Sequence, residues 1–303
     1  MPFYCRSGKI AHIRSSSLNG TSSRKAWMQR TGFALITVGL LVVQACASIG
    51  SPVSPDQPSM APTITTEAAG VPISFENVSF VIPSRLGTGV SAEVVPAVEN
   101  QDDSWFNVPA YKKFMLTGYP IERLILQPHI FIYPADEFER VNPSVGEFLK
   151  QLRTALGKPG VPKNEDIPQV PMFRAAKVFG AHITRINTQN GAGVRMLTSY
   201  SQDFSPVTND ELIYQFQGFT NDGKYYILIS LPVHASFLAS DEKPDTVLPT
   251  DGIPFPDLTT ATEAEVYAYD QAVADKTNET DPDSFQPTLK QLDAFVQSIT
   301  VTP

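Results

Sequence analysis

The fold is decided by residues 178–233, VFGAHITRINTQNGAGVRMLTSYSQDFSPVTNDELIYQFQGFTNDGKYYILISLPV. This stretch reads as four consecutive antiparallel strands. The first, about Val178 to Thr188, ends at Gln189-Asn190-Gly191, where Asn-Gly between two periodic runs signals a hairpin because both residues tolerate positive φ. The second, about Val194 to Gln202, places Val194, Met196, Thr198 and Tyr200 on one face. A loop leads to a third strand, with Leu212, Tyr214 and Phe216 on one face and Ile213 and Phe219 on the other. Thr220-Asn221-Asp222-Gly223 forms the next turn. The fourth strand, Tyr225 to Val233, is apolar on both faces, so both faces are covered. This meander is the middle of a core.

Outward from it, the signals weaken. Upstream, Ile73 to Ile82 alternates and stops at Pro83; it reads as one strand with a slip near Asn77, paired with Ser91 to Val98. Lys113 to Tyr119 and His129 to Tyr133 read as two more strands. Asn142-Pro143 opens a helix, with Asn as N-cap and Pro at N1. Its apolar face is Val145, Phe148, Leu149, Leu152 and Leu156, and Gly157 ends it. Residues 158–171 and 234–257 are Pro-rich excursions. A helix over about Thr262 to Lys276 and another over about Pro287 to Gln297 follow, the second feeding a short edge strand, Ile299 to Val301. The chain has 303 residues and 26 prolines, a share that argues for long loops and against a helical bundle. The expected class is α+β: a twisted, mainly antiparallel sheet of about seven to nine strands with helices packed on it, α/β/α sandwich-like.

Residues 1–45 contain Arg6, Lys9, Arg14, Arg24, Lys25 and Arg30 and no acidic residue. The remainder keeps 17 of the 23 basic residues and all 31 acidic ones, a net of −14. Such a body is repelled by phosphate backbones, which excludes a nucleic-acid partner.

Residues 31–43 form an apolar run behind Arg24, Lys25 and Arg30. The run is too short to span a bilayer comfortably and has the length of a signal-peptide apolar region. It is followed by Val43-Gln44-Ala45-Cys46. That tetrad resembles the lipobox of bacterial lipoproteins: aliphatic, variable, small, cysteine, with Gln44 a mild departure. The resemblance implies cleavage before Cys46 and acylation of its thiol with palmitate-type chains, giving a lipid anchor in a cell membrane or envelope, facing outside the cytoplasm. Two or more chains, at roughly 0.8 kcal/mol per buried methylene, hold firmly. The other reading is an uncleaved signal anchor. Met28 would begin a more typical signal than Met1. Residues 46–70 are rich in Ser, Pro and Thr and read as a tether. The expected organisation is therefore a signal over 1–45, a lipidated Cys46 and tether over 46–70, and one globular domain over 71–303.

From Gln189-Asn190-Gly191 through Arg195, Tyr200, Glu211-Leu212, Tyr214 and Gly218 to Asp222-Gly223-Lys224-Tyr225-Tyr226, the meander also resembles an uncharacterised family of bacterial lipoproteins. That family implies no activity. The element order is similar to that of the PsbP/Mog1-type α/β/α sandwich.

Chemistry is sparse. His129, His182 and His234 share no metal-ligand spacing, no phosphate loop or nucleophile elbow occurs, and no cofactor or metal is expected. The acidic clusters Asp241-Glu242-Asp245 and 275–283 lack the pattern of a calcium loop and read as solvated. Trp105 and Phe106 form either a contact patch or a core plug. The residues a purely structural meander would least need are Arg195, Tyr200, Tyr214 and Gln215. They are the candidate ligand-binding set, for an extracytoplasmic protein, peptide, glycan or small anion; the competing account is an internal hydrogen-bond network. Two functions follow: a membrane-tethered, non-catalytic binding or assembly-supporting module, or a hydrolase-like enzyme whose site is assembled from His129, His182 and loop carboxylates such as Asp136 or Glu137.

Overall fold

The computed structural model describes residues 70–100, 104–123, 126–171 and 175–303. The expected signal peptide, Cys46 and the tether lie outside the described residues. The elements run in the order β1 (Val71–Phe75), β2 (Val78–Ile82), β3 (Gly89–Val95), β4 (Tyr111–Thr117), β5 (His129–Pro134), α1 (Ala135–Val141), α2 (Pro143–Gly157) and β6 (Ala176–Lys177). They continue with β7 (Ala181–Asn187), β8 (Gly191–Thr198), β9 (Tyr200–Ser201), β10 (Ile213–Thr220), β11 (Tyr225–Pro232), α3 (Glu263–Glu279), α4 (Leu289–Gln297) and β12 (Thr300–Val301).

Seven strands form one sheet in the order β3-β4-β5-β11-β10-β8-β7, and all its ladders are antiparallel. The α+β class expected from the sequence is therefore present. The meander strands β8, β10 and β11 fill the interior of the sheet, as their two-sided apolar character requires. Strand alternation divides the core in two. Phe114, Ile130, Ile132, Tyr214, Phe216 and Ile229 face one way, against Tyr269 and Val273 of α3 and Leu289, Leu292 and Phe295 of α4. Tyr133, Val194, Met196, Ile213, Tyr226 and Leu228 face the other way, against Phe138 of α1 and Val145, Leu149 and Leu152 of α2.

Asn142 caps α2 as expected, its Oδ1 accepting from Val145 N at 3.2 Å, with Pro143 at the first position. The same amide donates to the carbonyls of Trp105 (2.9 Å) and Asn107 (3.1 Å), so the cap also pins the preceding loop. Trp105 packs edge-on against Phe148 of α2. The helix α1 was not legible: it is two turns long and starts directly after Pro134.

Three sequence expectations are corrected. Ile73 to Ile82 is not one strand with a slip but the β1–β2 hairpin, turning at Glu76-Asn77 with Glu76 at φ 50°. A Glu-Asn turn carries no standard hairpin signature, which hid it. Nor does β3 pair with this hairpin; it pairs with β4, while β2 takes β12, the far end of the chain, as its other neighbour. The second meander strand breaks after Thr198, and Tyr200 and Ser201 pair instead with Lys177 and Ala176.

The turn at Asn190-Gly191 is also different in kind. Positive φ among the described non-glycine residues occurs at Glu76 and His182, and among the glycines at Gly118, Gly160 and Gly223, not at Gly191. Gly191 is required by proximity: a Cβ there would sit 2.4 Å from Phe219 O and 3.1 Å from Thr220 Cα. Asn190 uses its side chain to clamp the last strand, donating to Val301 O at 2.6 Å and accepting from Val301 N at 3.1 Å.

Candidate functional site

The four residues singled out in the meander fall on opposite faces of the sheet. Tyr214 and Gln215 are sequential on β10, so they must point apart. Arg195 stands beside Phe216 in register and shares the Tyr214 face. Tyr200 reaches the Gln215 face. All four are buried, so they do not make one binding surface.

Arg195 and Tyr214 form a lock under α4. Arg195 donates through Nε to Asp293 Oδ1 at 3.0 Å and through Nη2 to Oδ2 at 2.8 Å. The Tyr214 hydroxyl donates to the same Oδ1 at 2.8 Å, and the third guanidinium arm donates to His182 O. Burial, and next the Asp293 charge, push the Tyr214 phenol well above its ordinary value, keeping it a donor. This constellation is closed on itself.

On the other face, α1 and α2 cover the half of the sheet around Tyr133, Tyr226 and Val194. The remaining half carries the cross-strand row His129, Ser230, Gln215, Met196. A cavity of about 160 Å³ lies over it, walled by His129, Phe131, Tyr200, Gln215, Ser230 and Pro171 among others. At ~30 Å³ per water it holds about five waters or one small ring.

The proton directions in this chamber follow from its backbone partners. Val170 N can only donate, and it donates to the Tyr200 oxygen at 3.4 Å. The Tyr200 hydroxyl therefore gives its own proton to Gln215 Oε1, at 2.7 Å. That fixes the amide and leaves Gln215 Nε2, a buried donor, with no partner among the described residues. The His129 ring stacks on Phe131 at 4.1 Å. Its Nδ1 lies 2.8 Å from Gln127 O, which can only accept, so the Nδ1 proton is in place and Nε2 is the lone-pair nitrogen. Burial lowers the His129 pKa, outweighing the Gln127 carbonyl that raises it, and the nearby Lys113 charge adds to the lowering, which favours this neutral ring.

A second chamber of about 560 Å³ adjoins the first and shares the walls Leu126, Tyr200 and Ile213. Its rim holds Asp210, Glu211, Asp241, Glu242 and Lys243. Burial and then a hydrogen bond with Glu242 push the Glu211 carboxyl up to about 8. A second negative charge beside Glu242 is unfavourable, which adds to the burial of Glu211. Lys243 is engaged by Asp241 at 2.6 Å. Thr208, fully buried in the wall, has a hydroxyl without a partner among the described residues. Neither Glu211 nor Glu242 was singled out in the sequence: the first flanks a strand, the second belongs to a cluster read as solvated, and only tertiary folding joins them.

Behind this rim, Arg123 donates through Nη2 to the carbonyls of Asn209, Leu212 (2.9 Å) and Val233 (3.3 Å). Burial lowers its pKa to about 10. It ties the ends of β10 and β11 to the preceding loop.

The two histidines of the hydrolase reading are not brought together. His129 is on β5 and His182 on β7, four strand intervals apart in the sheet, or about 19 Å at ~4.8 Å per interval. His182 sits at φ 47°, its Nε2 3.1 Å from Thr280 O, and packs edge-on against Phe285. Among the described residues no group of three His, Cys, Asp or Glu side chains is placed to hold a metal ion, and no helix is long and apolar enough to cross a membrane. No family model matches the chain, and no curated protein matches it significantly.

Proposed function

We propose that the chain is a lipid-anchored, extracytoplasmic binding module rather than an enzyme. The observation that carries the anchoring is the order of residues 24–46: basic residues, a short apolar run, then Val43-Gln44-Ala45-Cys46, with a Ser- and Pro-rich tether behind it. The likeness of the meander to uncharacterised bacterial lipoproteins agrees with that reading. What supports binding is the two-chambered cleft on the partly uncovered sheet face, apolar inside with a few convergent polar groups. The catalytic alternative needs His129 and His182 in one site, and their separation argues against it.

Anchoring is tested by expressing the full chain and its Cys46→Ser variant with a palmitate label. The native chain takes up label and partitions into detergent; the variant loses both. Equal labelling of the two would refute the anchor.

A further inference from the structure

The rim of the outer chamber is mainly acidic, and the Arg123 guanidinium behind it is bonded to the carbonyls of Leu212 and Val233. Four carboxyl groups line it, and Lys243 there is already engaged by Asp241. The folded part of the chain is strongly acidic as well, so the field at this mouth draws cations and repels anions. Directly below lie apolar walls, Leu126, Tyr200 and Ile213. Two buried polar groups line the two chambers without a partner among the described residues, the Thr208 hydroxyl in the outer one and Gln215 Nε2 in the inner one. Buried polar atoms without partners are rare in folded chains, and a ligand is one of the things that completes them. A metal ion would need more converging oxygens than the Glu211–Glu242 pair provides.

We propose that this cleft binds a small organic cation with an apolar body, its ammonium held by Glu211 and Glu242 and its body lying on Leu126, Tyr200 and Ile213. A hydrogen-bond acceptor at the far end of the body, a hydroxyl or carbonyl, would meet Gln215 Nε2. The inference rests on the binding-module reading and narrows it to one ligand class. Binding is also coupled to a proton. The raised Glu211 carboxyl holds a proton at neutral pH, and an arriving ammonium displaces it, so affinity rises with pH until Glu211 is ionised. The groups facing Glu211 are Glu242, Arg123 and Asp210, and Glu211 in turn bears on the Tyr269 phenol. Arg123 and Tyr269 stay in their protonated forms through neutral pH, and Asp210 contributes a charge of the sign that favours the cation.

The test is calorimetric titration of the purified full-length chain with three probes: tyramine, phenethylamine, which lacks the hydroxyl, and 4-ethylphenol, which lacks the amine. Tyramine should bind at least about tenfold more tightly than 4-ethylphenol, with phenethylamine between them. Tyramine affinity should rise about fivefold to tenfold between about pH 7 and 8.5, and titrations in buffers of different ionisation enthalpy should show a proton released on binding. Glu211→Gln should remove the proton release and most of the amine preference, and the exposed Glu242→Gln should reduce the amine preference while burial of Glu211 still supplies the released proton. Equal binding of all three probes, or an amine preference that survives both substitutions, overturns the cation assignment and leaves the cleft a binding site. Absence of binding by any probe overturns the cation assignment and the use of this cleft for binding together.

Discussion

Asp293 on α4 grips the guanidinium of Arg195 on β8 with both carboxylate oxygens, at 3.0 and 2.8 Å, and Arg195 is 6% exposed. The pair fastens α4 to the sheet from beneath, and Tyr214 completes it. Removing one partner strands a buried charge, whereas replacing both with apolar groups removes the desolvation cost as well. Asp293→Asn should therefore cost about 3 kcal/mol in urea denaturation, and Arg195→Met combined with Asp293→Leu should recover most of it. Equal losses in the single and double variants would show that the ion pair is not what holds the helix.

The hydrogen-bond relay Val170 N to Tyr200 to Gln215 makes the next case. Tyr200→Phe keeps the ring but deprives Val170 N of its acceptor and Gln215 Oε1 of its donor. With Nε2 already unpartnered, the whole Gln215 amide is then unsatisfied. The expected loss is about 1–3 kcal/mol, and Tyr200→Phe/Gln215→Leu should be more stable than Tyr200→Phe alone. If the double variant is the weaker of the two, the relay is not the source of the loss.

How much of this was legible in the sequence depends on how far apart the cooperating residues are. The meander strands β8, β10 and β11 were readable because each declares its own alternation and each turn lies next to the strands it joins. The Asn142-Pro143 cap was equally local. What failed was contact at a distance: β2 with β12, Arg195 with Asp293, Glu211 with Glu242. The assumption that Arg195, Tyr200, Tyr214 and Gln215 share a surface failed for a simpler reason. Adjacent residues on a strand face opposite ways, so Tyr214 and Gln215 could not have lined the same groove.

Gly191 illustrates a right residue with a wrong reason. Its φ is unexceptional, yet its Cβ position is occupied by the β10 backbone at Phe219 and Thr220. Backbone cannot rotate away as a side chain can, so even the smallest addition is overpacking. Gly191→Ala should cost about 1–3 kcal/mol, with a lowered denaturation midpoint at unchanged m-value. A substitution that leaves the midpoint in place would show that the β8–β10 ladder can open at that point.

Stability should also depend on pH through Glu211. Its carboxyl is raised from an ordinary 4.5 to about 8 in the folded chain, so between those values the folded form holds a proton that the unfolded form has lost. Stability then falls as pH rises through the window and levels off above it. Other groups act at its edges. Burial lowers His129, His182 and His234, so folding gains as pH rises through about 6.5, and Lys177, lowered to about 8, gains above that value. The range from about 6.5 to 8 therefore reports Glu211 most directly. Linkage over that range allows at most about 2 kcal/mol, and the partial solvent exposure of Glu211 screens it to about 1 kcal/mol, a fall in Tm of about 2–4 °C. Glu211→Gln cannot titrate and should flatten this slope while leaving the histidine and lysine contributions in place. Thermal melts of the native chain and the variant across the range decide it: parallel curves would mean that the Glu211 carboxyl does not hold its proton in the folded chain.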